Sequence, residues 1–199
     1  MSDREKTKTT RRHIIVRAAI ECFIKNGMHQ TGIREIAEHA GVSLGNLYNH
    51  FSGKDALIAE IAVLDGEDLE RFAEALDTND APLVAIPEFV DEYLDYVSRP
   101  ENAFLTIDII SEALRNPAVA EQFETNRRRL AGAISTTIDR GISAGDMRKQ
   151  ISIDETVKLI LDAIEGLGLR SSMAGKKPSK KARSTLQEMI FRMLSPQGS

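Results

Sequence analysis

The sequence predicts an all-α fold of about nine helices. Two observations carry this. Apolar residues recur at i, i+3, i+4 and i+7 along almost the whole chain, and sustained period-2 alternation is absent. A third bounds the size: 199 residues and 22.0 kDa are enough for a core that needs no staple. Hydrophobic residues make up 42% and charged residues 28%, the balance of a soluble globular protein.

The first predicted helix covers residues 9–26, with Ile14, Ile15, Ala18, Ala19, Cys22 and Phe23 inward and Gly27 as its stop. Short helices follow at 31–39 and 43–50. A longer one runs from 53 to about 76. The polar stretch Asp77-Thr78-Asn79-Asp80 is a loop, and Pro82 suits the first turn of the next helix. That helix carries Ile86, Phe89, Val90, Tyr93 and Val97 on one stripe, and Pro87 either kinks it or marks its true start. Helices at 101–115, 117–143, 153–173 and 178–194 complete the set. The run 104–110 is apolar nearly all round, which predicts a buried helix with Asp108 inside it. A buried carboxylate must be paired, hydrogen-bonded or protonated.

Charge divides the chain. Residues 1–54 hold nine Lys/Arg against five Asp/Glu, whereas residues 55–130 hold six against eighteen. A basic N-terminal unit on an acidic middle lets one end approach an anion. The alternative is chance clustering on solvated faces. With one cysteine, Cys22, neither an internal disulfide nor a Cys-rich zinc site is expected, and a packed thiol is the simplest role. His13, His29, His39 and His50 lack metal-ligand spacing, so neither metal nor cofactor is expected. The charged N-terminus has no secretory pattern and no 18-residue apolar run occurs, so a cytoplasmic, non-membrane protein is expected. No phosphate loop, nucleophile elbow or HExxH motif points to an enzyme.

Residues 30–54, QTGIREIAEHAGVSLGNLYNHFSGK, are the informative stretch. Two short helices meet at Ala40-Gly41-Val42, the kind of Gly-containing turn that a helix-turn-helix needs. Ser43 is a good N-cap, and Leu47 and Phe51 are the only strong anchors of the second helix. Its remaining side chains are left to face outward, as a major-groove reader requires. Gly45 costs helix stability, about 1 kcal/mol against Ala, and so points to a close approach.

The segment resembles the DNA-binding domain of the TetR family of bacterial transcriptional regulators. The likeness rests on Thr31, Ile36-Ala37, Ala40-Gly41-Val42-Ser43, Leu47-Tyr48-Asn49-His50-Phe51 and Lys54. With the composition break near residue 52 as the boundary, the expected organisation is a DNA-binding domain at 1–52 and a helical effector-binding and dimerisation domain at 53–199. The resemblance implies phosphate or sugar contacts from Thr31, Tyr48, His50 and Lys54, and groove-facing positions at Ser43, Leu44, Gly45, Asn46 and Asn49. Leu44 departs from the polar or basic residue common in the family, and no Arg in the reading helix offers the usual guanine contact. Arg11, Arg12 and Arg17 are further candidates for backbone or minor-groove contact, or else an exposed face.

The expected function is a homodimeric repressor on a palindromic duplex operator, released by a small effector. Phe89, Tyr93, Tyr96, Phe104, Asp108, Glu112 and Phe123 are the candidate effector contacts, suiting an amphipathic or cationic molecule. Ile160, Ile164, Leu167, Gly168, Leu186, Met189, Ile190 and Met193 are the candidate dimer contacts on the last two helices. The competing classes are an enzyme built on the buried acids and a module whose helix-turn-helix binds protein.

Overall fold

The computed structural model describes residues 3–150 and 152–196, with side chains from Thr10 onward. Among the described residues there are nine helices and no strand. They are α1 (Asp3–Asn26), α2 (Ile33–His39), α3 (Leu44–Tyr48), α4 (Lys54–Thr78), α5 (Pro82–Val97), α6 (Pro100–Ala113), α7 (Pro117–Ala144), α8 (Ile153–Met173) and α9 (Lys180–Leu194). Ser43, Ser152 and Ser179 cap α3, α8 and α9, each hydroxyl accepting from the N–H three residues on. Pro87 lies inside α5, whose start is set by Ala81 and Pro82.

Two compact units form. Unit one is the chain up to Asp65 together with Phe104–Phe123; unit two is Gly66–Ala103 and the chain from Glu124 onward. In unit one, Ile15, Val16, Ala19 and Phe23 of α1 pack with Ile36, Leu47, Phe51, Leu57, Ile58 and Ile61. Val119 joins them, with Leu105, Ile109 and Phe123 at the margin. Ile14, expected inward, is 46% exposed and Val16 is buried instead, on the other side of Ile15.

In unit two, Ile86, Phe89, Val90, Tyr93 and Leu94 of α5 pack against Leu130, Ile134 and Ile138 of α7. Val157, Ile160, Leu161 and Ile164 of α8 and Leu186, Ile190 and Leu194 of α9 close this core. Burying each such side chain contributes about 1.5–3 kcal/mol. Asp91 and Asp95, on the polar side of α5, receive Arg183 of α9, with Arg183 Nη1 2.8 Å from Asp91 Oδ1.

Two expectations need correction. First, α6 is not buried all round: Phe104, Ile107 and Ile110 are exposed, and only Ala103 is fully buried. Its remaining apolar residues lean on unit one from a single side. Second, Ile160, Ile164, Gly168, Leu186 and Ile190 face their own core and offer no surface to a second chain. A Cβ on Gly168 would stand 2.5 Å from Val97 Cγ2, so this glycine serves the α5–α8 contact. Of the eight candidates, Leu167 and Met193 are half-buried and Met189 is exposed.

Candidate nucleic-acid interface

The turn between α2 and α3 is closed by backbone alone. Gly41 sits at φ +65°, its N–H donates to Glu38 O at 3.1 Å, and the Val42 N–H reaches back to Ala37 O at 3.0 Å. This paired hydrogen bonding is the left-handed glycine stop of a helix. It turns the chain into Ser43, whose Oγ accepts from the Asn46 N–H at 3.1 Å and starts α3. Two polar clips hold α2 on α1: His39 Nε2 lies 2.7 Å from Glu21 Oε2, and Asn26 Nδ2 donates to Glu35 Oε1 at 2.5 Å. The His39 hydrogen bond holds the Glu21 carboxyl below its ordinary range.

α3 buries one residue, Leu47. Ser43, Gly45, Tyr48 and Asn49 are exposed, and no atom lies within 4 Å of a Cβ built on Gly45. This is an open face with hydroxyl and amide groups. Leu44 leans partly onto the core of unit one. Asn46 is half-buried, with its Oδ1 buried and unpartnered. His50 is half-buried, and its carbonyl accepts from Arg12 at 3.0 Å.

Thr31 and Lys54, expected at DNA, and Arg12, left open between DNA and an exposed face, all make hydrogen bonds within the protein. Thr31 is 2% exposed, and its Oγ1 donates towards Gly27 O at 2.9 Å and Cys22 O at 3.2 Å. Lys54 Nζ donates to Met28 O at 2.8 Å. Arg12 is forked onto Glu60 and lies over the Phe51 ring, 4.3 Å from its centroid. In each case the side chain supplies the donor for a buried or half-buried carbonyl or carboxylate. Arg11, Arg17 and Arg34 remain exposed on α1 and α2. The sequence reading did not single out Arg34, a basic residue in the first turn of α2. Burial pushes the Cys22 thiol up, as expected for a packed residue.

The seven effector candidates divide between the units. Phe89, Tyr93 and Tyr96 stack along α5 in unit two, with Phe72 edge-on to all three. Tyr93 donates to Glu165 at 3.0 Å and Tyr96 to Asp68 at 3.2 Å. Arg127 reaches Glu165 at 3.3 Å and Asp162 at 2.6 Å. Burial works against the Arg127 charge, but those carboxylates outweigh it and hold the guanidinium above its ordinary range. Phe104, Asp108, Glu112 and Phe123 belong to unit one. There Asp108 accepts from the Met28 N–H at 2.6 Å and Glu112 lies 3.4 Å from His29, so both acids are spent on the protein. Among the described residues, no group of His, Cys, Asp and Glu can hold a metal ion, and no helix is long and apolar enough to cross a membrane.

A glycine-turned helix pair whose second helix offers an open polar face defines a helix-turn-helix DNA-binding protein. Residues 15–61 match the family of bacterial regulatory proteins called tetR, and residues 85–195 match the C-terminal region of BetI-type transcriptional repressors. The chain belongs to the TetR family and is a regulator of transcription, not an enzyme. It is 31% identical over 159 residues to the transcriptional regulator UidR of Escherichia coli K12, covering 77% of each chain. It is similar to Salmonella enterica GusR, with 26% identity, a TM-score of 0.78, and 93% and 95% of the two chains covered. A TetR regulator from Chloroflexus aurantiacus shares the fold at a TM-score of 0.83 and 24% identity, covering 96% and 98%.

Proposed function

We propose that this chain is a cytoplasmic, homodimeric repressor that binds a palindromic operator through residues 1–52 and leaves it when a small effector binds within residues 53–199. The observation that carries the reading is α3, a helix that gives the core only Leu47 and leaves Gly45, Tyr48 and Asn49 in the open. Gly45 and Asn49 face bases, Tyr48 faces the sugar-phosphate backbone, and Arg34 with Arg11 or Arg17 supplies charge. Ser43 and His50 lie beside them, and Asn46, whose Oδ1 is buried, reads with its amide nitrogen.

The dimer forms through the outer stripes of the last two helices. Leu159, Gly166 and Met173 on α8 and Thr185 and Met189 on α9 are exposed, with Leu167 and Met193 at the margin. Beyond its own helical turn, no atom of the described residues lies within 4 Å of a Cβ on Gly166, so packing within the chain does not call for a glycine there. A second copy seated on these stripes makes a four-helix contact and sets two reading helices about 34–36 Å apart, one DNA turn. The effector lies against the Phe89, Tyr93 and Tyr96 rings in unit two. Their π faces suit an amphipathic or cationic molecule, although Asp68 and Glu165 beside them already hold the Tyr96 and Tyr93 hydroxyls.

The test is enrichment of duplexes from a random pool by the wild-type protein, followed by sedimentation and by release of the enriched duplex with cationic, neutral and anionic compounds. A palindromic consensus, a dimer at micromolar concentration and release by a cation are expected. A pool without consensus removes the DNA reading, a stable monomer removes the dimer, and release by anions alone removes the effector class.

A further inference from the structure

Met28 is gripped on both sides of its peptide. Its N–H donates to Asp108 Oδ2 at 2.6 Å, and its carbonyl accepts from Lys54 Nζ at 2.8 Å. Met28 is 1% exposed, just past the α1 stop at Gly27, where φ is +83°. One turn further along α6, Glu112 Oε2 stands 3.4 Å from His29 Nε2. These residues all belong to unit one, although Asp108 is 80 positions from Met28 in sequence. Both hydrogen bonds to Met28 are charge-assisted, and such hydrogen bonds are about twice as strong as neutral ones. The gripped turn leads directly into Thr31 and α2, and α2 sets α3 through the Gly41 turn.

We infer that Asp108 is a positioning residue for DNA binding: with Lys54 it clamps the Met28 peptide and so fixes the turn that presents α2 and α3. Lys54 then serves DNA through the protein and is not a phosphate ligand. The inference rests on the DNA-binding reading above. It makes a prediction of unusual sign. Removing an acid from a DNA-binding unit ordinarily raises affinity, because a repulsion of the phosphates is lost. If the clamp matters, removing Asp108 lowers it.

Asp108→Ala, Asp108→Asn and Lys54→Met are compared with wild type on the duplex that the wild type enriches, between about 50 and 200 mM salt. Asp108→Ala is expected to bind about 10-fold more weakly, about 1.4 kcal/mol, with an unchanged salt slope. Asp108→Asn keeps an oxygen that accepts from Met28 and recovers most of the affinity. Lys54→Met binds more weakly with its salt slope unchanged. Hydrogen exchange at the Met28 amide is faster in Asp108→Ala and close to wild type in Asp108→Asn. Asp108→Ala with equal or higher affinity overturns the inference, as does Lys54→Met with a salt slope about one unit shallower. If Asp108→Ala does not fold, Lys54→Met decides by the same slope criterion. A wild-type protein that enriches nothing ends the DNA reading and this inference together, a failure seen before any variant is made.

Discussion

Arg12 and Glu60 join α1 to α4 by a two-pronged ion pair, Nε to Oε1 at 2.7 Å and Nη2 to Oε2, while Arg12 also donates to the His50 carbonyl. The guanidinium thus ties the first helix, the end of the reading segment and the fourth helix at one point. Its hydrogen bond holds the Glu60 carboxyl below the usual carboxylate range, and Glu60 holds the Arg12 guanidinium above its own.

That pair predicts a pH dependence. A carboxyl whose folded pKa is depressed adds stability above its unfolded pKa, roughly 4.3, and loses it as pH falls through the folded value. Glu60→Gln should therefore lower the urea midpoint at pH 7 and should flatten its fall between about pH 5 and pH 3. The loss is about 1 kcal/mol, because Arg12 is 38% exposed and solvent screens part of the attraction. Equal acid sensitivity in wild type and variant would remove the pair from acid unfolding.

Gly41→Ala forces a side chain into the left-handed region at φ +65°. Nothing lies within 4 Å of the new Cβ, so the cost is that of the backbone alone, about 1–2 kcal/mol. Urea unfolding should register it, and the loss of duplex binding should be no smaller.

Gly45→Ala separates stability from recognition. The Cβ meets nothing in the chain, so α3 gains helix propensity, up to about 1 kcal/mol. Duplex affinity should nevertheless fall, because the methyl group stands where the DNA must come close. Stability raised with affinity unchanged would show that position 45 does not face the duplex. Asn49→Ala should change base preference at particular positions of the enriched duplex, worth about 1–3 kcal/mol each, and leave the salt slope alone.

The two α8 glycines should behave oppositely. Gly168→Ala drives a methyl into Val97 Cγ2 at 2.5 Å and towards its carbonyl carbon at 3.2 Å, destabilising the fold by about 1–3 kcal/mol. Gly166→Ala meets nothing and should leave thermal unfolding of the single chain unchanged or raised, while raising the dimer dissociation constant. Sedimentation of both variants separates the own-core role from the interface role.

Much of this was legible in the residues. The 3.6-residue pattern and the Gly, Pro and Ser punctuation placed the helices, since caps and stops are local chemistry. The turn at Gly41 was legible because a left-handed position calls for glycine. The outward face of α3 was legible because Leu47 alone could not bury it. Long-range partners left no such trace. The Met28 N–H that meets Asp108 is a backbone group, invisible as a residue type, and Thr31 looks like a phosphate ligand until Cys22 and Gly27 carbonyls are found beside its hydroxyl. Stripe counting identified the apolar side of α8 and α9 without saying whose core it served. Ile160 and Ile190 turned out to serve their own.

Residues 104–123 pack in unit one, where Val119 sits in the core with Ile15 and Phe23 while Asp108 holds Met28. A hybrid regulator made by cutting the chain just after unit one's first segment would graft only residues 1–65 onto a new body. For this chain that cut takes away part of what the front piece is made of. A transplant of residues 1–65 alone would arrive with a bare apolar flank and with the Met28 turn held by Lys54 but no longer by Asp108. A working graft must carry the matching α6–α7 segment from the same donor, or redesign the recipient's segment to fit.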